Sequence, residues 1–389
     1  MDPDHKDARY HQIRTAVFGM VVLTLGMGIG RFLYTPMLPI ILHEGLFTFS
    51  QLSLIASANY AGYLFGSLLF SFGVFTRLAH LKAMLLAVAL ITGLLILFMA
   101  IVTVPEVVIL IRFLAGVASA GMMIFGAMLV LQHSHRPWVI ASLFSGVGVG
   151  IFIGNEYVIA GVAHLLSAKT LWLGASCISG VLLIVLWLLL PRDAHIPQEM
   201  AQPLKADKSI QWWQLALLYG LAGFGYIIVA TYLPVMAKGL GASFIAEHIW
   251  SVVGLAVIPG CYGWLWVARK GNILPCLSLN LIVQACCVVL AALTHSSILL
   301  TLGCIGFGAT FMGTSSLVMP LAKKLKAPQK VNLLGLVTLT YGVGQIAGPL
   351  MVSAFENRGQ SLTGPTLLGA GALFIAAGIS HLQYRKTKS

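Results

Sequence analysis

The sequence predicts an all-α membrane protein, with twelve transmembrane helices in two pseudo-symmetric six-helix bundles. Composition, the spacing of apolar runs and an internal repeat near half the chain length carry that reading. Of the 389 residues, 59% are hydrophobic and 9% charged, and the mean hydropathy is +0.94. A soluble globular chain carries about 25% charged residues and about 45–50% apolar ones. This deficit of charge excludes a soluble enzyme, a disordered chain and a nucleic-acid-binding module. The net charge of +12, from 23 Lys and Arg against 11 Asp and Glu, does not revive the last of these. The basic residues occupy short gaps between long apolar runs.

A membrane-spanning helix needs about 20 mainly apolar residues, and twelve runs meet that length. They cover approximately residues 15–42, 51–75, 82–103, 106–132, 138–164 and 169–190, then 212–238, 243–267, 272–294, 297–322, 330–355 and 363–384. The first follows the mixed-charge segment MDPDHKDARYHQIR and continues to about Leu42 without a cleavage site. It is too long for a signal-peptide core and reads as a retained span. The breaks HEGLFTFS, TRLAHLK, QHSHRPW and ARKGN carry turn or charge signals. One long polar, Pro-containing break at 191–211 separates an N-terminal bundle, 1–190, from a C-terminal bundle, 212–389.

Lys and Arg accumulate in the cytoplasmic loops of membrane proteins. With the N-terminus inside, only Lys169, Lys238 and Arg358 fall in outside gaps, Arg31 and Arg112 lie within spans, and every other Lys and Arg is inside. Both termini and the 191–211 linker are therefore expected in the cytoplasm. Trp138, Trp172, Trp187, Trp212, Trp213, Trp264 and Trp266 fall near the proposed interfaces, where indole rings favour the headgroup level. The six cysteines form no C-x-x-C pair and no Cys/His cluster, and read as small buried hydrophobes. His43, His164, His248 and His295 read as interfacial side chains at span ends.

The two halves repeat. GIGRFLYTPMLP in the first span matches GFGYIIVATYLP in the seventh, with Gly28, Gly30, Leu38 and Pro39 against Gly223, Gly225, Leu233 and Pro234. Gly148-Val-Gly150-x-x-x-Gly154 in the fifth span matches Gly342-Val-Gly344-x-x-x-Gly348 in the eleventh. Ordered matches near half the chain length indicate a parallel repeat, with its axis along the membrane normal.

Twelve spans, a cytoplasmic central loop and duplicated halves resemble the major facilitator superfamily over essentially the whole chain. Arg112-Phe-Leu-Ala-Gly116 is similar to its R-x-x-x-G signature, and Gly344-x-x-x-Gly348-Pro349 resembles its glycine-proline motif. The opening GMGIGRFLYTPMLPIIL resembles the bacterial YbfB/YjiJ group of that superfamily. TRLAHLK lacks the acidic residue of the usual loop signature, and Asn155 stands where the fifth span of a drug antiporter would carry proline. The resemblance implies a multi-pass protein of the bacterial inner membrane.

Ionisable groups inside a membrane are costly and rank as functional candidates. Arg31, Arg112 and Glu156 stand well within spans. Counted along helices of 1.5 Å rise per residue, Arg31 and Glu156 lie about 16 and about 18 residues from the cytoplasmic starts of their spans. An isolated charge there costs about 2.5–3.5 kcal/mol on insertion scales, and mutual pairing would offset that cost. Glu156 would then be a protonation site whose bond to Arg31 is broken and remade during transport. A static ion pair that fixes packing is the structural alternative. Arg112, nearer its span end, calls for a backbone-carbonyl partner or snorkelling, and the resemblance adds a role in proton coupling.

By the repeat offset, Tyr226 takes the place of Arg31 in the second half. Together with Arg31, the residues Tyr34, Asn59, Tyr60, Tyr63, Met123, Tyr226, Tyr232, Tyr341 and Gln345 are candidates for a substrate site, against the alternative of core packing for each. Met122, Met128, Phe125, Phe311 and Met312 add an apolar, adaptable lining. The G-x-x-x-G spacings Gly62–Gly66, Gly150–Gly154 and Gly344–Gly348 permit close helix approach and are read as sliding contacts between the halves.

The chain has no G-x-x-x-x-G-K-[ST] and neither H-E-x-x-H nor G-x-S-x-G, so ATP-driven pumping and intramembrane hydrolysis have no visible motif. The leading expectation is a proton-driven secondary transporter, not an enzyme, that rocks two halves around a small amphipathic organic compound, with export favoured. The second is an importer of a small monocarboxylate held by Arg31. A non-transporting sensor or scaffold is the alternative of another class. No cofactor or metal is called for. The expected partners are a small-molecule substrate, protons and the lipid bilayer, with no nucleic acid, and the chain is read as a monomer.

Overall fold

A computed structural model of the protein describes residues 3–72, 78–191, 210–238, 243–326, 331–356 and 362–386. Among these residues the chain is helical almost throughout. The first span is compound, with α1 (Pro3–Leu23), a π-helical segment (Thr24–Phe32) and α2 (Tyr34–His43) in succession. The other spans are α3 (Phe49–Ser71), α4 (Leu78–Ile101), α5 (Pro105–His133), α6 (Pro137–Ala163) and α7 (Ala168–Leu189), then α8 (Trp212–Lys238), α9 (Ser243–Lys270), α10 (Ile273–Leu293), α11 (Ser297–Lys324), α12 (Leu333–Glu356) and α13 (Thr363–Arg385). Eleven spans of the described residues, the compound one included, are long and apolar enough to cross a membrane. The twelfth, α3, is diluted by Asn59, Tyr60, Tyr63 and its serines.

Local chemistry sets the helix starts. Thr48 and Gln51 form a reciprocal capping box for α3, and the Ser167 and Asn272 side chains accept backbone N–H groups at the starts of α7 and α10. Pro105 and Pro137 open α5 and α6 at the first helical position, where the missing N–H costs nothing.

The helices pack as a repeat. The contacts α1 with α6, α3 with α5, α4 with α5 and α4 with α7 in the first half recur as α8 with α12, α9 with α11, α10 with α11 and α10 with α13 in the second. Two extensive contacts join the halves, α6 with α9 and α3 with α12. The protein is thus an all-α membrane protein of the major facilitator fold. Most of the expected 191–211 linker lies outside the described residues.

Glycines set the crossings, though not where the G-x-x-x-G reading put them. A Cβ on Gly28 would lie 2.4 Å from the Gly150 Cα, and one on Gly62 would lie 1.8 Å from the Phe113 carbonyl oxygen. Gly66 faces Val117, Gly154 faces Leu33, Gly344 faces the Gly220 carbonyl and Gly348 faces Ile227. These three pairs therefore lie inside their own halves, because their helix faces are turned toward bundle neighbours. Glycine approaches between halves lie at Gly148, whose Cβ would lie 2.4 Å from the Gly254 oxygen, and at Gly335, whose Cβ would lie 2.6 Å from the Ser71 Cα.

The end of the bundle at which α1 starts and α13 ends is closed. Phe72 and Val331 form an antiparallel bridge across the halves, and the Asn332 N–H donates to the Ser71 carbonyl at 2.7 Å. Lys323 donates to the Leu131 carbonyl, and the Ser142 and Tyr262 hydroxyls meet at 2.7 Å. The opposite end holds a cavity of about 1190 Å³ between α2, the end of α6 and the start of α9.

Candidate functional site

At the centre, the π-helical segment TLGMGIGRF ends in Arg31-Phe32 and is fully buried. Wide π turns are rare and concentrate at functional sites. Pro36 has no N–H, so one carbonyl before it, that of Phe32 in an α turn or of Arg31 in a π turn, loses its helical partner. Arg112 supplies donors here, with its guanidinium reaching the Gly30 and Arg31 carbonyls at 3.2 Å each. Its charge rests 4.9 Å from the Tyr34 ring. Asn59 ties α3 to the Arg112 carbonyl at 3.0 Å, and the Tyr34 hydroxyl is spent on the Leu52 carbonyl at 2.9 Å. Arg112, Asn59 and Tyr34 thus form one network that props the break in span one.

Arg31 is 3% exposed. Its guanidinium carbon lies 4.3 Å from the Tyr63 ring centre, 5.3 Å from Tyr60 and 5.6 Å from Phe32. Cation–π contacts contribute about 0.5–2 kcal/mol each, more as water is excluded. One nitrogen donates to the Gln345 amide oxygen at 2.8 Å, across the boundary between halves. The other two, Nε and one terminal nitrogen, are buried without a hydrogen-bond partner. Gln345 in turn donates to the Tyr226 hydroxyl, and the Tyr60 hydroxyl meets Thr231 of α8 at 3.1 Å. Arg31, Tyr60, Tyr63, Tyr226, Tyr341 and Gln345 are therefore brought together. Met123 is buried in the same hydrophobic core that holds Tyr63, Tyr226 and Tyr341, and Tyr232 packs at that core's edge.

Glu156 does not meet Arg31. Six residues separate it from Gly150, the contact with span one, which turns its side chain through about 240° around the helix. That face looks at α9. The Glu156 carboxylate accepts from His248 Nδ1 at 2.8 Å and from the Ser251 hydroxyl at 2.5 Å. Beside it, Asn155 donates to Ser251 at 2.8 Å and to the Glu247 carbonyl at 3.1 Å. Equal depth was legible in the sequence, but azimuth decides pairing. The Glu156 and His248 side chains remain 35% and 25% exposed.

Above this link lies the cavity, walled by Thr35, Pro36, Pro39, Val158 and Ile159 and rimmed by His43, Glu44 and Glu247. Trp250 also lines it, although only 2% exposed, and its ring meets Phe32 edge-on at 5.9 Å. Phe32 and Trp250 thus separate the cavity from the Arg31 centre.

The family model described as "Uncharacterised MFS-type transporter YbfB" matches residues 23–381, which span every element named above except most of α1 and the last turn of α13. The chain belongs to this family. It is accordingly a membrane transporter of the major facilitator type, and the family match points to a transporter rather than an enzyme. Comparison with curated proteins finds no match.

Within this family member, several contacts of the candidate site escape a linear reading. His248 looks like an interfacial histidine at a span end, and Ser251 looks like any small residue of a membrane helix. Only the α6–α9 crossing brings them to Glu156. Asn155, the departure from proline in the fifth span, is the best advance signal. A polar amide at that place needs a partner, and it finds one in the other half.

Proposed function

We propose that the chain is a proton-coupled secondary transporter that moves a small amphipathic organic compound by alternating access of halves 1–190 and 212–389. The Glu156–His248–Ser251 link supports this reading. A carboxylate and an imidazole join two bodies that must separate, beside a cavity that admits water. Protonation of Glu156 removes the negative charge that both donors meet, which weakens the two bonds and loosens α6 from α9. His248 takes the role that Arg31 was expected to fill. An interior of tyrosine, phenylalanine and methionine around one cation fits an amphipathic compound better than a highly charged nutrient, which makes export the proposed direction.

The test uses proteoliposomes with a trapped pH dye and compounds that raise the melting temperature of the purified protein. Addition of such a compound should move protons with it. Compounds that cross on the protein without any proton movement would overturn the coupling.

The proposed membrane is the bacterial inner membrane, with the closed end in the cytoplasm. Positive charge gathers there. His135, between α5 and α6, has its pKa held below the ordinary value first by burial and then by Lys323 and Lys324. Alkaline phosphatase fused after Ser209 should be inactive, and fused after Ser361 it should be active. The reverse pattern would invert the topology.

A further inference from the structure

We infer that the compound carried at the Arg31 centre is an organic monoanion with a flat, unsaturated ring, its carboxylate held by Arg31 and its ring by a stack of aromatic side chains in the second half. This deepens the transporter reading above and rests on it for the word carried, though not for the binding site itself.

The charge comes from an uneven ledger. Among the described residues, Arg31 and Arg112 are the only charged side chains in the buried class, and no buried Asp or Glu faces them. Arg112 gives both terminal nitrogens to two carbonyls of span one and leaves Nε alone unpartnered. Arg31 has one neutral acceptor, the Gln345 amide oxygen, and two buried nitrogens aimed at no acceptor. A guanidinium presents its donors as a planar fork that matches the two oxygens of a carboxylate. The Gln345 oxygen occupies the place of one of them. An arriving carboxylate takes that place, adds a second oxygen for the free nitrogens, and neutralises a charge that the protein leaves uncompensated. A cationic compound would meet Arg31 with like charge, and a dianion would bring one charge more than this cation balances.

The ring comes from the facing half. Tyr219, Tyr341, Tyr226, Phe311 and Phe307 form a ladder with centre separations of 4.3, 5.2, 5.6 and 5.6 Å and interplanar angles of 22°, 11°, 7° and 13°. Aromatic pairs in protein cores settle in edge-to-face or offset-stacked arrangements. Five rings from α8, α11 and α12 already cover one another's faces in successive near-parallel stacking, so another flat ring joins the ladder by parting two of them. Tyr226 joins the two features, since its ring lies inside the ladder and its hydroxyl meets the Gln345 amide. Displacing Gln345 from Arg31 therefore disturbs the ladder at the same point. The ligand would touch Arg31, Tyr60 and Tyr63 in one half and Tyr226, Tyr341 and Phe311 in the other. A compound that bridges the halves favours their closure around it.

The test measures binding to the purified full chain by isothermal titration with four probes: benzoate, benzamide, benzylamine and cyclohexanecarboxylate. Benzoate should bind saturably, and benzamide and benzylamine at least about tenfold more weakly, as expected when a charge-assisted pair is lost. Cyclohexanecarboxylate, which keeps the carboxylate but not the flat ring, should fall between them. Arg31→Gln should remove the preference for benzoate over benzamide. Arg31→Lys keeps the charge without the fork and should weaken benzoate while preserving that preference. Tyr341→Leu should erase the preference for benzoate over cyclohexanecarboxylate alone. Absence of benzoate binding, equal binding of benzamide, or an Arg31→Gln variant that still prefers benzoate would each overturn the inference. If benzoate binds as described but no proton or benzoate crosses the bilayer, the transporter reading fails and the site stands. If protons are driven by compounds of another class and benzoate does not bind, the site fails and the transporter reading stands.

Discussion

Glu156→Gln should abolish gradient-driven accumulation of substrate and leave binding and exchange at least partly intact. The amide is neutral at every pH and nearly isosteric with the protonated acid, so it fixes the state in which the α6–α9 link has released its charge. Ser251 keeps an acceptor in the amide oxygen, but His248 Nδ1 loses a charged one, and charge-assisted bonds are the stronger kind. The concentrative part of transport should vanish because no proton can be taken up or given back at this position. The level inside proteoliposomes should then stop at equilibrium under an imposed pH gradient, measured with a compound found by thermal shift. His248→Ala should be milder, because Glu156 retains Ser251 and remains a proton site, so transport should slow but still follow the gradient. Arg31→Ala should damage binding and not coupling, since Gln345 and not Glu156 holds Arg31. A Glu156→Gln variant that concentrates substrate as well as the parent would reduce the carboxylate to a packing role.

The spans were legible because the bilayer fixes their length and strips them of charge, and the doubled architecture was legible because matched glycines recur at half the chain length. The membership of the centre was legible in part. Arg31, Tyr60, Tyr63, Tyr226, Tyr341 and Gln345 are polar or amphipathic residues in apolar runs, and the fold gathers them. What a linear reading could not supply is rotation. Glu156 matches Arg31 in depth but faces α9, and Tyr34 stands three residues from Arg31 yet serves Arg112. The π-helical segment adds to the difficulty, since spacing rules for an α-helix fail across Thr24–Phe32. The aromatic ladder was hidden for the same reason, because Tyr219, Phe307 and Phe311 meet only through the contacts of α8, α11 and α12.

Two glycine substitutions should separate folding from transport. In Gly28→Val the new Cβ would lie 2.4 Å from the Gly150 Cα, backbone against backbone inside the first half. Neither chain has a flexible side chain to move aside, so the cost should lie at or beyond the top of the about 1–3 kcal/mol range for overpacking. The expected result is a large fall in melting temperature and in the yield of monodisperse protein. In Gly148→Val the clash is as short, 2.4 Å to the Gly254 carbonyl oxygen with Val257 at 2.7 Å, but it lies between the halves. Each bundle keeps its own packing, so the protein should still fold and be purified. The wedge prevents α6 and α9 from approaching, which pulls Asn155 from Ser251 and Glu156 from His248, and with them the state that the halves must reach once per cycle. Accumulation should therefore be lost in a protein whose melting temperature stays closer to that of the parent than that of Gly28→Val. If Gly148→Val transports normally, the α6–α9 approach is no part of the cycle. If Gly28→Val folds normally, the bare Gly28–Gly150 contact does not set the crossing of spans one and five.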